Sequence, residues 1–274
     1  MVSYGMTGKT VVVTGGASGI GLATALALAA DGARVAIIDL LDEDIEVAVQ
    51  KLRSEGGEAF GVSADVSDEA AVTSAADRVF AHFGDVHGLV ACAGTSASSP
   101  AETHSVEDWN RVMGVNVLGS FLCCQVFGRP MIARRDGSIV VIGSLDGIGA
   151  HAGRIAYSTS KFAVHGLVKN LALEWGRHNV RVNSVAPTLV DTPLVRRGLP
   201  GYFFDVVVDR TPAGRIGQTD DIAHAVLMLL SNASSYISGV ILPVDGAISV
   251  GYFNRLGGAD LQSKKLLEAG VYTP

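Results

Sequence analysis

The chain has 274 residues, which is enough for one α/β domain with a large buried core. It carries 21 Lys and Arg against 27 Asp and Glu, a formal net charge of -6 at pH 7, with no run of basic residues. This charge argues against nucleic acid or an anionic membrane as a partner. The absence of a Pro-rich, Ser-rich or charge-rich linker predicts a single domain over residues 1–274.

The apolar stretches and the cysteines indicate the compartment. Every long apolar stretch is interrupted by charge or glycine well short of about 18 residues, and the N-terminal MVSYGMTGKT lacks the basic and apolar regions of a signal peptide. Cys92, Cys123 and Cys124 are an odd number of cysteines without the spacing of metal ligands. We therefore expect small buried thiols in a reducing cytoplasm, and no metal site.

The first predicted strand ends in a glycine-rich turn. Residues 11–21, VVVTGGASGIG, join a run of β-branched residues to an alanine-rich and leucine-rich helix. Gly15, Gly19 and Gly21 let the backbone approach a ligand closely, and the helix starting near Gly19 directs unpaired N–H groups and its positive dipole end to the same place. A pyrophosphate fits such a turn. For the glycines taken alone, a tight strand-to-helix turn without a ligand is the alternative.

Asp39 ends the second apolar strand and is followed by Leu40. It lies about where a dinucleotide-binding fold places the carboxylate that accepts hydrogen bonds from both hydroxyls of the adenosine ribose. A 2'-phosphate would meet this negative charge at close range, and neither a basic residue after Asp39 nor Ser18 in the turn would offset it. The expected cofactor is therefore NAD rather than NADP.

Strand and helix patterns alternate along the chain. The predicted strands lie near residues 10–14, 34–39, 58–63, 87–91, 138–143, 181–186 and 239–244, and helical patterns occupy the intervals. This alternation predicts an α/β fold with a doubly wound, mostly parallel sheet and helices on both faces. Ligands bind at the carboxyl ends of such strands, so the chemistry is expected there.

Short polar and small residues follow the third and fourth predicted strands. Asp65, next to Val66, either accepts a hydrogen bond from an adenine amino group or caps the helix that follows Ser67. The fourth strand ends at Ala91-Cys92-Ala93-Gly94, whose small side chains would let a cofactor lie flat across the sheet.

The fifth predicted strand ends at Ser144, and Tyr157 and Lys161 follow as an i, i+4 pair on one helix face. Tyrosine is a poor base near neutral pH, but an ammonium within a few ångströms favours its phenolate form. Tyr157 could then take a proton from an alcohol or return it to an alkoxide, while Ser144 hydrogen-bonds to the same oxygen. The alternative is a tyrosine and a lysine on an ordinary amphipathic helix.

Several short motifs, weak one by one, occur here in a fixed order and spacing. They are TGGASGIG at 14–21, Asp39, Asp65, Ala93-Gly94, Asn116 within NVLG, Ser144, YSTSK at 157–161 and NSVAPTLVDT at 183–192. Together they resemble the single-domain short-chain dehydrogenase/reductases over roughly residues 7–247. The resemblance implies a seven-stranded Rossmann-like domain that transfers hydride between a nicotinamide and a carbonyl or secondary alcohol.

The resemblance also implies a role for each site residue. Tyr157 would be the acid/base and Ser144 would position the substrate, while Lys161 would also bind the nicotinamide ribose. Asn116 would hold a water that relays protons to solvent through Lys161. The implied cofactor-binding residues are Gly15, Ser18, Gly19, Ile20, Gly21, Asp39, Leu40, Asp65, Val66, Cys92, Ala93, Gly94, Tyr157, Lys161, Pro187, Thr188, Val190 and Thr192.

Two positions depart from the pattern of that family. Ala91-Cys92-Ala93-Gly94 stands where the family usually has Asn-Asn-Ala-Gly, so side-chain amides that brace the fourth strand are missing. Pro187-Thr188 stands where the family usually has Pro-Gly beside the nicotinamide. We expect both departures to adjust affinity or the shape of the pocket without abolishing activity.

The substrate pocket of the resembled family is walled by three segments, which here are 146–154, 95–100 and a mobile loop at 189–215. Besides Ser144 and Tyr157, the candidate substrate residues are Asp146, His151, Arg154 and Tyr202. The alternative places His151 and Arg154 in solvent and makes the aromatic run at 202–204 a contact between the loop and the body of the protein. The expected substrate is a moderately sized, partly apolar alcohol or ketone with polar groups.

Three functions are compatible with these features. The leading one is an NAD-dependent alcohol dehydrogenase or ketone reductase. The others are a 3-ketoacyl reductase for carrier-protein-bound acyl chains and a catalytically silent dinucleotide sensor of the same fold. Asp39 and the lack of a basic patch disfavour the carrier-protein reductase. The presence of Ser144, Tyr157 and Lys161 disfavours the sensor.

Assembly is expected by resemblance. Members of the family usually pair through helices that here span about 116–134 and 155–177, which predicts a homodimer or homotetramer. The chain continues past the last strand into a C-terminal tail, 248–274, whose apolar side chains include Tyr252, Phe253, Leu256, Leu266 and Leu267. We expect this tail to pack near residues 189–215, and a frayed terminus is the alternative.

Overall fold

The computed structural model of the chain describes residues 3–198 and 201–250, except for the side chains of residues 197, 198, 202 and 203. The expectations for Tyr202 as a substrate residue and for the tail from residue 251 onward therefore fall outside the described part of the chain.

One sheet of seven parallel strands organises the fold, in the order β3-β2-β1-β4-β5-β6-β7. The strands are β1 Thr10–Thr14, β2 Arg34–Asp39, β3 Glu58–Ser63, β4 Gly88–Ala91, β5 Gly137–Ile142, β6 Val180–Pro187 and β7 Ile241–Val244. This arrangement confirms the predicted doubly wound parallel sheet. The strand order reverses between β1 and β4, and a crevice for a ligand opens at the carboxyl ends of such a pair.

Nine helices connect the strands within the described residues. They are α1 Gly19–Ala30, α2 Asp42–Ser54, α3 Glu69–Phe83, α4 Val106–Met113, α5 Ser120–Arg134, α6 Ile155–Trp175, α7 Pro193–Gly198, α8 Gly201–Arg210 and α9 Thr219–Leu230. Because side chains alternate along a strand, Val11 and Val13 face the core beneath α1, α2 and α9, whereas Val12 faces the core beneath α3, α5 and α6. Both faces are buried, which explains the continuous apolar run in β1.

A π-helical segment, Gly114–Gly119, joins α4 to α5, so both lie in one helical run, Val106–Arg134. We expected glycine to interrupt apolar stretches, but the helix continues through Gly119. A Cβ at this position would lie only 2.7 Å from the Val66 side chain. This glycine therefore serves close packing of the helix against the turn after β3.

By length and composition, the run Val106–Arg134 could cross a membrane. Half of its most apolar window is buried inside the fold. The core helix of a soluble protein has the same properties, so this run is weak evidence for a membrane span.

One of the two roles left open for Asp65 and the expectation of a loop at 189–215 are wrong. Asp65 does not cap α3, because its carboxylate accepts hydrogen bonds from Ser67 N and Ser67 Oγ, and the capping side chain is that of Asp68. The segment expected as a loop at 189–215 contains α7 and α8. Its C-terminal end is attached to the end of β7, where Ala213 N–H donates to Gly246 O at 3.2 Å.

Candidate active site

The glycine turn after β1 packs directly on the end of β4. Gly15 has a φ of 63°, and a Cβ there would lie 2.8 Å from Ala93 Cα, so only glycine fits. The N-cap of α1, Ser18, makes no side-chain capping bond, and the first turn of α1 contains no acidic residue. The N–H groups at the start of α1 are therefore available to an anion in the cleft above the turn.

Asp39 holds this turn in place from the end of β2. Its Oδ2 accepts a hydrogen bond from Ala17 N at 2.9 Å, and its Oδ1 accepts one from Leu40 N at 2.8 Å. Each carboxylate oxygen can accept a second hydrogen bond, so the side chain can still bind a ribose diol. Asp39 thus places a fixed negative charge beside the glycine turn.

The end of β4 lacks the two side-chain amides that are usual in the resembled family, and the Thr14 side chain holds it instead. Thr14 Oγ1 accepts hydrogen bonds from Cys92 N at 3.1 Å and Ala93 N at 3.2 Å. Burial raises the pKa of the Cys92 thiol to about 12, so this side chain is an uncharged wall of the cleft. The backbone at the end of β4 is therefore held by Thr14 in place of the missing amides.

Ser144, Tyr157 and Lys161 line the same cleft as the glycine turn. Lys161 is buried and donates from Nζ to Ile142 O at 2.8 Å, and its Nζ lies 5.6 Å from the centre of the Tyr157 ring. Ser144 Oγ accepts a hydrogen bond from Asp146 N at 3.1 Å. The serine at the end of β5 and the i, i+4 pair of α6 therefore reach one place from two elements.

Asn116 lies in the π-helical segment and connects three elements. Its Nδ2 donates to Thr95 O at 3.0 Å and to Ser160 Oγ at 2.9 Å, and its Oδ1 accepts from Thr95 N at 2.8 Å. A Cβ on Gly94 would lie 3.4 Å from Asn116 Oδ1 and 4.0 Å from Lys161 Nζ. The amide and the lysine ammonium thus both lie close to Gly94, although Asn116 does not itself line the cleft.

The glycine turn, Asp39, the end of β4 and the Ser144, Tyr157 and Lys161 side chains line a cleft of about 620 Å³ at the carboxyl ends of the strands, a size typical of small-molecule sites. All the residues expected to bind the cofactor line this cleft, together with Ser144. The cleft thus runs from the Asp39 carboxylate, past the uncapped start of α1, to Tyr157. Its size and its donors fit a nicotinamide dinucleotide.

Thr188 occupies the place of the usual glycine without strain. The described non-glycine residues with a positive φ are Arg135, Asn179 and Ala247, so Thr188 has a backbone conformation that any residue adopts. It lines the cleft and is half-buried. Its side chain therefore changes the shape of the wall and not the path of the chain.

The substrate candidates Asp146, His151 and Arg154 form a cluster beside Tyr157 and do not line the cleft. Asp146 is buried, and its Oδ1 is hydrogen-bonded to His151 Nδ1. That bond raises the pKa of the largely exposed His151 imidazole. The Arg154 guanidinium lies 4.3 Å from the centre of the Tyr157 ring, and its Nε lies 4.0 Å from Asp146 Oδ2.

Sequence reasoning missed Arg111, which also lines the cleft. Its Nη1 donates to Thr95 Oγ1 at 2.7 Å and its Nη2 donates to Asp108 Oδ1 at 2.7 Å. The spacing of Asp108 and Arg111 on α4 is a sequence signal for their pairing, but not for their contact with the segment after β4. Leu194 and Val195 at the start of α7 also line the cleft, within the segment 189–215 that was expected to wall the pocket.

A family model described as Enoyl-(Acyl carrier protein) reductase matches residues 15–249 of this chain. D-threitol dehydrogenase from Mycolicibacterium smegmatis is 40% identical over 247 residues, which cover 90% of this chain and 95% of that protein. The 3-oxoacyl-acyl-carrier-protein reductase of Thermotoga maritima is 34% identical over 245 residues, which cover 89% of this chain and 99% of that protein.

A solved structure is similar to this chain in its fold. The gluconate 5-dehydrogenase from Burkholderia cenocepacia, crystallised in complex with NADP and tartrate, is similar with a TM-score of 0.87 and 34% sequence identity. The likeness covers 91% of this chain and 98% of that one.

Proposed function

Since this chain belongs to the short-chain dehydrogenase/reductase family and is an oxidoreductase acting on alcohols, we propose that it is an NAD-dependent enzyme that interconverts a secondary alcohol and a ketone. The observation that carries the proposal is the meeting of Ser144, Tyr157 and Lys161 on the wall of a cleft that begins at the glycine turn and Asp39. A proton carrier and a dinucleotide-sized cleft adjoin each other there.

Three side chains of this site handle the proton. When bound, a nicotinamide dinucleotide supplies the hydride acceptor or donor of the reaction. Tyr157 takes the proton of the substrate hydroxyl in oxidation and returns it to the developing alkoxide in reduction, while Ser144 donates a hydrogen bond to the same oxygen. Lys161 Nζ lies 5.6 Å from the centre of the tyrosine ring, next to the proposed acid/base.

Two further roles belong to Lys161 and Asn116. Lys161 also binds the nicotinamide ribose. Asn116 positions a water that passes protons from Lys161 to solvent. The support for both roles is that the asparagine amide and the ammonium both lie close to Gly94, which lines the cleft.

The choice of NAD over NADP depends on Asp39. Its carboxylate is fixed by Ala17 N and Leu40 N at the end of the cleft where the adenosine would lie, and a 2'-phosphate there would face an uncompensated negative charge. A relative crystallised with NADP shows that the family also uses that cofactor. Asp39 is therefore the feature on which the preference of this chain depends.

The substrate class follows from relatives that act on polyols, D-threitol and galactitol among them. We assign a small polyhydroxylated alcohol to this site. A second candidate, reduction of acyl chains on a carrier protein, is favoured by the identity to the Thermotoga maritima reductase. Asp39 disfavours this candidate. The net charge of -6 also disfavours it, because an acidic carrier protein requires a basic docking surface.

We also propose a homodimer or homotetramer that works in the cytoplasm. Large apolar side chains are exposed on these helices: Leu118 just before α5, Phe121 on α5, and Phe162 and Leu173 on α6. Leu173 is 82% exposed. Their exposure supports pairing of two subunits through these helices. Cys92, Cys123 and Cys124 are free thiols, as expected in a reducing compartment.

Turnover assays with a panel of alcohols test the proposed function. Purified protein is incubated with alditols and secondary alcohols, with NAD and NADP in parallel, and the reduced cofactor is measured. We expect turnover with at least one polyol and a preference for NAD of about tenfold or more, equivalent to about 1.4 kcal/mol. Equal rates with NADP would contradict the cofactor assignment. Reduction of carrier-bound ketoacyl chains without polyol turnover would favour the second candidate.

A further inference from the structure

Arg154 carries hydrogen-bonding capacity that the described protein does not use. Its guanidinium lies 4.3 Å from the centre of the Tyr157 ring, one helical turn before the proposed acid/base. Its Nε is buried without a hydrogen-bond partner, and among residues 3–198 and 201–250 neither Nη forms a hydrogen bond to a protein acceptor. A guanidinium has five N–H donors in a rigid plane, so most of these donors are free for another molecule.

The ion pair of Arg154 with Asp146 is loose. The Arg111–Asp108, Arg196–Asp191 and Arg215–Asp221 pairs have N–O distances of 2.7, 2.5 and 2.6 Å, whereas Arg154 Nε is 4.0 Å from Asp146 Oδ2. The two oxygens of Asp146 also contact His151 Nδ1 and Ser158 Oγ. Its negative charge is therefore shared between His151 and Arg154, and it offsets the guanidinium only in part.

The start of α6 adds positive potential at the same place. Arg154 is the N-cap of this 21-residue helix, makes no side-chain capping bond, and is followed by no acidic residue in the first turn. A cation at the positive end of a helix is electrostatically unfavourable. An anion bound between the guanidinium and the first turn would offset both charges. The nearest charged groups around this point are Asp146, His151 and Lys161.

We propose that Arg154 binds a carboxylate of the substrate, so that the preferred substrate is a polyhydroxy carboxylate rather than the neutral polyol of the same length. The planar guanidinium accepts a carboxylate in a two-bond fork, and its contact with the Tyr157 ring places the anchored end of a short substrate near the reacting oxygen. The inference rests on the proposed function and specifies its substrate class.

The test compares threonate with threitol, an acid and an alcohol with four carbons each. The value of kcat/KM with NAD is measured for both compounds in the wild type, in Arg154→Gln and in Arg154→Lys. We expect the wild type to prefer threonate by about tenfold or more, and Arg154→Gln to bring the ratio close to one. Arg154→Lys should retain part of the preference because it keeps the charge but loses the fork.

The exposed Arg78 on α3 provides the matched control, since Arg78→Gln removes the same charge far from the cleft and should leave the ratio unchanged. A wild type that oxidises both compounds equally, or a ratio that Arg154→Gln does not change, would overturn the proposal.

A binding measurement separates this proposal from the proposed function. Tartrate, a dicarboxylate, is titrated calorimetrically into the protein saturated with NADH. We expect binding about tenfold weaker or more in Arg154→Gln than in the wild type. Equal affinities would refute the role of Arg154 even if alcohols are oxidised. Weakened binding without turnover of any alcohol would support the anion site and contradict the proposed function.

Discussion

Asp39 has two tasks at the residue scale. Its carboxylate fixes the glycine turn through Ala17 N, and it is also the group assigned to the adenosine ribose. Replacing Asp39 by a neutral side chain that still accepts a hydrogen bond separates these two tasks. Holding the glycine turn needs only a hydrogen-bond acceptor, whereas excluding a 2'-phosphate needs the negative charge.

We expect Asp39→Ala to narrow the preference for NAD and also to weaken NAD binding, because Ala17 N loses its acceptor. Asp39→Asn should narrow the preference with a smaller loss of NAD affinity, since its Oδ1 can accept the same bond. The kcat/KM ratio for NAD and NADP, with dissociation constants for each cofactor, distinguishes the two variants. An unchanged ratio in both would show that the selectivity lies elsewhere.

The residues of the site could be predicted where a local sequence pattern has a single physical explanation. Gly15 and Gly21 are required by close backbone contacts, and the spacing of Tyr157 and Lys161 places both on one helix face. Arg111 and the loose ion pair of Arg154 could not be predicted, because each depends on a contact between elements distant in sequence or on which acceptor is already occupied.

At the scale of elements, α6 holds the end of β5 on both sides of Ser144. Lys161 Nζ donates to Ile142 O, and one turn later His165 Nδ1 is 3.0 Å from Gly147 O. The ring also fills the space beside the chain, since a Cβ on Gly143 would lie 2.3 Å from His165 Nε2. Burial lowers the pKa of His165, so the neutral ring donates from Nδ1.

Replacing His165 tests whether this attachment positions Ser144. His165→Leu removes the donor and should lower kcat by about tenfold, because the serine hydroxyl becomes less well oriented, while NAD affinity stays close to that of the wild type. His165→Asn retains a donor near the position of Nδ1 and should restore most of kcat. Equal values of kcat in both variants would indicate a role in packing alone.

The predicted elements agree with the structure where periodicity is strong and differ where it is weak. All seven strands occur near their predicted positions, because each contains a short run of apolar residues. Strands β1, β4 and β5 are buried along their whole length, whereas the edge strands β3 and β7 are buried only in part. The π-helical segment around Asn116 has no distinct sequence period. Helices α7 and α8 are short and separated by glycine and proline, so their pattern is indistinguishable from a loop.

On the scale of the whole molecule, two histidines couple stability to pH. The pKa of His87 is lowered from 6.5, first by burial and then by the nearby Arg134, and His87 Nδ1 accepts a hydrogen bond from Thr10 N at 3.1 Å. Burial also lowers the pKa of His165. The unfolded chain binds protons at these residues below pH 6.5 more readily than the folded chain does. Their contribution to stability is present above that pH and is lost as the pH falls through the folded pKa values.

His151, whose pKa is raised by Asp146, acts in the opposite direction, but it is one histidine against two. We therefore expect the free energy of unfolding, measured with urea, to decrease between pH 7.5 and pH 5.5. His87→Asn keeps an acceptor for Thr10 N but does not titrate, so the decrease should be smaller in this variant. The exposed His224, replaced by Asn, is the control and should leave the decrease as in the wild type. A decrease in His87→Asn as large as in the wild type would exclude His87 as a source of the acid sensitivity.

The central claim is that Tyr157 carries the proton in a nicotinamide-dependent reaction, and turnover by Tyr157→Phe tests it most directly. The substitution keeps the ring, its contacts with Lys161 and Arg154 and much of the NADH affinity, and it removes only the hydroxyl. We expect kcat to fall by several orders of magnitude while NADH still binds, as measured by its fluorescence. Residual activity above about one tenth of the wild-type rate would contradict the account.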